Sequence, residues 1–294
     1  MKRREFLIMS TASFLSSGVL NASAIYQLPA EKKQFIVSFA NSNSDLLSAL
    51  ENGLQELGGI EKYLFRRCRV LIKPTMAWNK EPGTGYNSDP LIVKTIIDLC
   101  YKAGVREVSL FDNTYDEWAI TYKNSGIERV AKDAAARVIP ANDFRYYKPI
   151  NMEGKSNNKL HIHEALINAD VVINLSAVSQ KINVPVSGAI ANYMGCTWNR
   201  LSCLDENSNC LSVLLQYKKP NLNISEIWAK GVFNPDMTTG GAKRAFLFSQ
   251  NIIGTDILTA RLLHTENQKI SGLISALKHY PDEASVQNNL IKYV

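Results

Sequence analysis

The sequence contains few cysteines, no repeats and no strong excess of one charge. Five cysteines in 294 residues are too few for a disulfide-dense scaffold. The formal net charge is only +6, with no basic run and no interleaving of basic and aromatic residues, so nucleic-acid binding is not expected. Repeats of fixed period, low-complexity tracts and a linker between two halves are also absent. At 46% hydrophobic residues, the composition is that of an ordinary globular protein, and the length allows one large domain or two small ones.

Several familiar catalytic and cofactor motifs are missing as well. The chain has no Gly-x-Ser-x-Gly elbow of the kind that carries a nucleophilic serine. It has no Cys-x-x-Cys pair for zinc or an iron–sulfur cluster. No metal site and no resident cofactor are therefore predicted, and a metal or redox cofactor is kept only as an alternative.

The first residues are those of an export signal. Adjacent Arg3 and Arg4 precede a weakly apolar stretch, and Ala24 ends a small-residue cleavage site. The paired arginines resemble a twin-arginine signal, whose partner would be the twin-arginine translocase. The apolar stretch is too short and too polar for a stable membrane span. We therefore expect residues 1–24 to be removed, residues 25–294 to form the mature domain at +4, and the location to be periplasmic or otherwise exported.

Strand and helix patterns alternate along the mature chain, which predicts an α/β fold with a mostly parallel sheet flanked by helices. Strands are predicted near residues 34–39, 70–72, 107–111, 160–163, 170–175, 222–228 and 244–249. Helices are predicted after residues 45, 89, 116 and 126, and over 188–195, 209–217, 253–263 and 267–279. Residues 140–158 are predicted to be irregular. The clearest helix start is Asp89 followed by Pro90.

Polar residues directly follow several buried strands, where an open parallel sheet binds its ligands. Lys73 ends the second strand, Asp112 and Asn113 end the third, and Asn174 lies at the end of a later one. A lysine there suits an anion, and an aspartate suits a metal, a hydroxyl or proton transfer. The alternative is that these residues only begin loops. We expect them to lie in one cleft.

Two other segments are weaker candidates. Residues 81–85 include Gly83 and Gly85 and could cradle a phosphate or form a flap, although they lack the P-loop ending. His161 and His163 alternate on a predicted strand and could share a metal, but no nearby cysteine or carboxylate completes the set.

The cysteines fall into two groups. Cys68 and Cys100 adjoin apolar segments and are predicted to be buried thiols. Cys196, Cys203 and Cys210 are spaced seven apart, and an oxidising compartment would permit a disulfide within this trio, with the pairing left open.

Four segments resemble the domain-of-unknown-function 362 family in order and spacing. They are Ile72-Lys73-Pro74-Thr75-Met76-Ala77-Trp78-Asn79 with Glu81-Pro82-Gly83, then Asp170 to Leu175, Gly188 to Gly195, and Asn251 to Asp256. Relatives of this type often carry a twin-arginine signal, and some are fused to a ferredoxin-like domain, which this chain lacks. The resemblance implies that Asn192 and Asp256 belong to the family's site.

The departures from the family pattern are specific. Thr75 replaces an asparagine, residues 176–181 lack the usual lysine and histidine, Ala191 replaces a lysine, and Asn251 replaces an aspartate. We interpret these changes as a site that has decayed or been rebuilt for another ligand.

Two functions are therefore open. The first is an exported ligand- or partner-binding module, in which Lys73, Gly83, Gly85, Asn113, Asn174 and Asn192 are the candidate binding residues. The second is an exported redox- or metal-linked enzyme acting at the carboxyl edge of the sheet, with Lys73, Asp112 and Asp256 as candidate catalytic residues and Asn192 beside them.

Overall fold

The fold is described by a computed structural model over residues 35–150, 159–179, 185–233, 242–284 and 286–294. The predicted signal segment, with Arg3, Arg4 and Ala24, lies outside the described residues. So do residues 180 and 181, the last two of the stretch 176–181 that departs from the family pattern.

Ten strands are present in the described residues, eight of them in one sheet. The strands are β1 (Phe35–Ala40), β2 (Arg69–Pro74), β3 (Glu107–Leu110), β4 (Arg137–Val138), β5 (Tyr147–Ile150), β6 (Leu160–His163), β7 (Val171–Ser179), β8 (Leu222–Phe233), β9 (Ala242–Ser249) and β10 (Ile291–Tyr293). The order in the large sheet is β10-β1-β9-β8-β7-β2-β3-β4. Only β9 runs against its neighbours, and the other adjacent pairs are parallel. The predicted mostly parallel sheet is confirmed.

Nine α-helices connect these strands in the described part of the chain. They are α1 (Leu46–Glu56), α2 (Pro90–Lys102), α3 (Trp118–Asn124), α4 (Ile127–Asp133), α5 (Glu164–Asn168), α6 (Ala189–Met194), α7 (Cys210–Tyr217), α8 (Ile252–Leu262) and α9 (Leu273–His279). The Asp89 side chain accepts a hydrogen bond from the Leu91 amide at the start of α2, as the Asp-Pro pair predicts.

The sheet separates two apolar cores, because alternate residues of a strand point to opposite faces. Leu71 and Val172 pack with α6, α7, α8 and α9 on one face. Val70 and Ile173 pack with α1, α2 and α4 on the other. Coverage on both faces explains why β2 and β7 are continuous apolar runs that end in polar residues.

Two sequence-based boundaries differ from the fold. The helix predicted over 267–279 is a short turn at Asn267–Lys269 followed by α9, and the break falls at Gly272, whose φ of +79° ends regular structure. The stretch predicted to be irregular after residue 140 contains β5, which pairs with β6 in a separate two-stranded sheet.

Among the described residues, no helix is both long and apolar enough to cross a membrane.

Candidate functional site

A row of polar side chains crosses four neighbouring strands on the face covered by α6. Lys73 of β2 lies opposite Asn174 of β7, Asn174 opposite Asn223 of β8, and Asn223 opposite Ser249 of β9. All four residues are buried. The Asn174 amide donates 3.0 Å hydrogen bonds to the Asn223 side chain and to the Ala189 carbonyl of α6. The row therefore joins the sheet to the helix above it.

Three oxygen atoms surround the Lys73 ammonium. Its Nζ is 2.7 Å from Asp112 Oδ1, 2.8 Å from the Pro74 carbonyl and 3.1 Å from Asn192 Oδ1. An ammonium group has three hydrogen-bond donors, so this environment matches the protonated form. Burial lowers the pKa of Lys73, and the Asp112 charge opposes that shift. Because Lys73 is fully buried, it is held as one half of an internal ion pair.

Asn192 uses its whole amide group. Its Oδ1 accepts from Lys73 Nζ and from the Thr75 hydroxyl, at 3.1 and 3.0 Å. Its Nδ2 donates at 2.8 Å to the Lys73 carbonyl and to Asn174 Oδ1. The Thr75 hydroxyl also accepts from the Ala177 amide at 3.0 Å. Asn192 therefore fixes the position of α6 over the end of β2 and the middle of β7.

Arg200 brings a second cation to Asp112. Its Nη1 lies 3.6 Å from Asp112 Oδ1 and donates to the Asn113 carbonyl. The guanidinium stacks over the Tyr115 ring at 3.9 Å. Arg200 is only 6% exposed, and its Nε has no hydrogen-bond partner in the described part of the chain. The cluster of Lys73, Asp112 and Arg200 thus contains two cations and one carboxylate.

Gly195 is required where α6 meets this cluster. A Cβ at this position would lie 2.6 Å from Asp112 Oδ1 and 2.9 Å from Lys73 Cε. Such contacts leave no space for a side chain, so the end of α6 lies directly against the ion pair.

An open groove begins at Arg200. A cavity of 570 Å³ is lined by Arg200, Asn113, Tyr115 and Leu201 among others. A neighbouring cavity of 610 Å³ shares Tyr115, Leu201 and Ser202 with it. The two cavities therefore form one groove at the carboxyl edge of the sheet, next to the buried cluster.

The predicted site residues are brought together, but not as an open cleft. Lys73, Asp112, Asn174 and Asn192 form one contiguous network, yet α6 covers it and all four are buried. Asn174 does not end its strand as predicted, because β7 continues to Ser179. Among the six candidate binding residues, Asn113 lines the groove. Its Nδ2 donates to the Thr197 and Trp198 carbonyls at 2.9 and 3.0 Å, which ties the segment before Arg200 to the end of β3. The expectation of one cleft is corrected to a buried network beside a groove.

Gly83 and Gly85 lie away from this network. The Gly85 carbonyl accepts from the Ser179 hydroxyl, five residues along β7 from Asn174 and so roughly 16 Å further along the strand. Gly85 also packs on the Trp228 ring, where a Cβ would come within 3.0 Å. Gly83 has a φ of +80° and open space around it. The clustering expected at the strand ends does not include these two glycines.

Asp256 of α8 holds the start of α6. Its two carboxylate oxygens accept from the Ala189 and Ile190 amides at 2.6 and 3.0 Å. Burial raises the pKa of Asp256 to about 7, against the opposing effect of these two hydrogen bonds. Asp256 is buried beneath α6, so it acts on the network by positioning Asn192 through that helix.

One departure from the family pattern has a structural explanation. Asn251 caps α8, and its Oδ1 accepts from the Ile253 and Gly254 amides at 3.1 and 3.0 Å. Asparagine and aspartate are nearly equivalent helix caps. The exchange therefore removes no carboxylate from the site, and the interpretation of a decayed site loses this part of its support. A second departure, Ala191 in place of a lysine, lies at a fully buried position of α6.

A second buried ion cluster lies near Gly85 and binds the long loop after β2 to the sheet. Arg244 Nη1 is 3.0 Å from Asp89 Oδ2 and 3.2 Å from Glu226 Oε1, and the guanidinium stacks over Trp228 at 3.4 Å. The Asp89 amide donates to Glu226 Oε2 at 3.1 Å. Burial raises the pKa of Glu226 to about 7. Because the charged groups of this cluster pair with one another, the cluster has a structural role and fixes the start of α2 to the sheet.

The two candidate metal-binding histidines have other roles. His163 is buried, stacks on Phe111 at 4.0 Å, and accepts from the Ala165 amide at the start of α5. Burial lowers the pKa of His163 to about 4. The His161 ring packs on Phe144 at 4.8 Å. Within the described residues, no group of three or more His, Cys, Asp or Glu side chains could hold a metal ion.

The expected disulfide is confirmed and its pairing is Cys203–Cys210. Cys68 and Cys100 are buried free thiols, as expected, and Cys196 is a third. Burial raises the pKa of Cys196 to about 12, so this thiol is protonated beside the Lys73 cluster.

Sequence reasoning missed Arg200 and Tyr115, which connect the buried cluster to the groove. Neither follows a strand directly. The position of Arg200 could have indicated it. Arg200 comes five residues after Gly195, which ends the small-residue helix predicted to lie on the sheet.

Comparison with known proteins relates the chain to a protein family, a curated protein and a solved structure. The family described as Domain of unknown function (DUF362) matches residues 70–261. A thylakoid-associated protein of Synechocystis sp. is 26% identical over 151 residues, which cover 51% of this chain and 46% of that protein. The lactate racemase apoprotein from Thermoanaerobacterium thermosaccharolyticum aligns with a TM-score of 0.49 and 15% identity, over 80% of this chain and 58% of that one. The chain thus spans about half the length of the curated relative it matches.

The family match covers more than half of the chain. It extends from β2 into α8 and includes Lys73, Asp112, Asn192, Arg200 and Asp256. This protein therefore belongs to the family described as Domain of unknown function (DUF362).

Proposed function

We propose that this protein is exported and binds a small anionic molecule at the carboxyl edge of its sheet, in the groove beside Arg200. The observation that carries the proposal is the charge of the buried cluster. Lys73 and Asp112 neutralise each other at 2.7 Å, which leaves the Arg200 charge without a full counterpart. A buried, incompletely paired cation is costly, and an anion bound in the groove would offset that cost.

The chemistry of Arg200 favours a carboxylate or a phosphate. A guanidinium binds planar oxyanions through two parallel hydrogen bonds, and Tyr115 holds this one in place by stacking. Asn113 lines the same cavity, but both N–H donors of its amide are used on backbone carbonyls, so the side-chain donors for the anion come from Arg200. Lys73 lies behind these groups, is neutralised by Asp112, and does not reach the groove.

Binding is tested on the full chain purified from the exported fraction. Calorimetric titrations at constant ionic strength use acetate, benzoate, succinate and inorganic phosphate. We expect at least one of them to bind, with affinity lowered about tenfold or more by Arg200→Gln, which corresponds to one charged hydrogen bond. Arg200→Lys keeps the charge and should bind with intermediate affinity.

The control is Arg129→Gln, which removes an exposed arginine of α4. This variant should bind as the unmodified protein does. Thermal melts establish that each variant is folded. Binding that survives Arg200→Gln in a folded protein, or no binding by any anion of the panel, would refute the proposed function.

The second candidate is an exported enzyme, and the observation that favours it is the ion pair of Lys73. Lys73 is buried and its pKa is lowered by burial. Together with Asp112 it forms a pair between which a proton can be transferred. If this candidate is a redox- or metal-linked enzyme, the protein from the exported fraction will contain one cofactor per chain. We expect none, and an absorption spectrum with elemental analysis distinguishes the two candidates.

A further inference from the structure

The two cavities of the groove beside Arg200 carry opposite charges. The cavity that contains Arg200 shares Tyr115, Leu201 and Ser202 with the neighbouring cavity, which is lined by Asp205 and Glu206. A cation therefore lines one cavity and two carboxylates line the cavity beside it.

The two acidic side chains are available to a ligand. Both residues are exposed. Neither carboxylate forms an ion pair with any cation that the structure describes; the Lys278 ammonium contacts the Glu206 backbone carbonyl at 3.3 Å instead. Asp205 Oδ1 accepts from the Asn207 amide at 2.9 Å, which fixes its orientation and leaves its other oxygen free.

Arg200 is the cationic group of the other cavity. It is more than nine-tenths buried, lines that cavity, and is held in place by the Asn113 carbonyl, to which its Nη1 donates. Apolar side chains also line the groove: Leu201 is 67% exposed, the most exposed of the large apolar side chains described, and Trp78 and Ile274 line the cavity that contains Asp205.

We propose that the groove binds a short peptide with free ends, with its terminal carboxylate on Arg200 and its terminal ammonium on Asp205 and Glu206. This inference rests on the proposed function and names its ligand class. Apolar side chains of the peptide would contact Leu201, Trp78 and Ile274. An arginine that binds the terminal carboxylate and acidic groups that bind the terminal ammonium would together recognise both charges of such a ligand.

A ligand that contacts both charged sets must extend across the residues that the two cavities share, Tyr115, Leu201 and Ser202. The two charges of a single amino acid are attached to one carbon, whereas those of an extended tripeptide lie at the ends of a chain of about 10 Å. A short peptide is therefore the better match to two charged sets in neighbouring cavities.

The test uses three matched ligands with the full chain: Ala-Leu-Ala, its N-acetyl form and its C-terminal amide. Ala-Leu-Ala should bind most tightly, and removal of either charge should weaken binding about tenfold or more, the effect of one charged hydrogen bond. Free alanine should bind no better than acetate.

The double variant Asp205→Asn/Glu206→Gln locates the ammonium site. It should bind N-acetyl-Ala-Leu-Ala as before but lose its preference for the free peptide. The matched control Glu51→Gln/Asp133→Asn removes two exposed carboxylates from α1 and α4 and should keep that preference.

The outcomes separate this inference from the proposed function. Equal binding of the free and acetylated peptides, or binding of simple carboxylates without the peptides, overturns the peptide assignment and leaves anion binding standing. A preference for the free peptide that survives Asp205→Asn/Glu206→Gln also overturns the assignment. No binding by any peptide or simple anion overturns both.

Discussion

Lys73 and Arg200 are both interior cations, but only one of them can serve a ligand. The Lys73 ammonium is surrounded by three oxygen atoms and is fully buried, so its hydrogen-bonding capacity is used. Arg200 has five N–H donors and lines the groove. The residue that the strand-end rule predicted is thus part of a buried network, and in the proposed function its neighbour across Asp112 binds the anion.

Asp256 leads to a prediction about pH. Its pKa in the fold is about 7, whereas an unfolded aspartate has a pKa of about 3.9. Between these values the folded protein binds a proton that the unfolded chain does not, so this group lowers the free energy of unfolding as pH rises. Asp256→Asn removes that titration and keeps an oxygen acceptor for α6.

Urea unfolding at about pH 5, 6, 7 and 8 measures the effect. We expect the stability of Asp256→Asn relative to the unmodified protein to increase with pH and to level off above about pH 7. Glu226, which titrates in the same direction, and His163, which titrates in the opposite one, are present in both proteins and cancel in the difference. A difference that stays constant across this range would contradict the buried, proton-binding carboxyl.

At the scale of elements, the helix α6 decides the form of the site. Its six residues are all buried, and it is fixed by Asp256 at its start and by Asn192 near its end. Since it lies over the end of β2 and the middle of β7, it closes the space beside Lys73 that a parallel sheet usually leaves open to ligands. The accessible groove is displaced to the segment that follows the helix.

The disulfide stabilises that following segment, between the groove and α7. Cys203 and Cys210 enclose a loop of eight residues that includes Asp205 and Glu206. Closing a loop of this length is worth about 2 to 3 kcal/mol in the chain-entropy model. We expect Cys203→Ser/Cys210→Ser to lower the free energy of unfolding by about this amount.

Denaturant titrations with and without a reducing agent provide the control for this prediction. Reductant should destabilise the unmodified protein to the level of the double variant and leave the double variant unchanged. Equal stability of the two oxidised proteins would contradict a stabilising disulfide.

At the scale of the whole molecule, the sequence predicted the fold better than the site. Apolar runs such as those of β2 and β7 predict buried parallel strands, because strands of a sheet that is covered on both faces carry apolar side chains at nearly every position. The order of the strands, and the antiparallel β9, depend on long-range pairing that periodicity does not contain. The convergence of Lys73 and Asp112 was predictable, but the cover by α6 and the approach of Arg200 depend on tertiary packing.

The export proposal also belongs to this scale. Arg3→Lys/Arg4→Lys should block export, because a twin-arginine translocase recognises that pair. Cell fractionation with an antibody to the mature chain measures the location, and Glu5→Gln serves as a control that changes the charge but keeps the arginines. Export of the lysine variant would instead indicate the general secretory route.

The polar row from Lys73 to Ser249 has a consequence for the fidelity of folding. If β2 slipped by one residue against β7, Lys73 would turn away from Asn192 into the core of Val70 and Ile173. A buried charge without partners in that core would cost several kcal/mol, so mispaired sheets are penalised strongly. A sheet of purely apolar strands can shift its register at a small cost in free energy. This polar row instead favours one register of the strands β2, β7, β8 and β9.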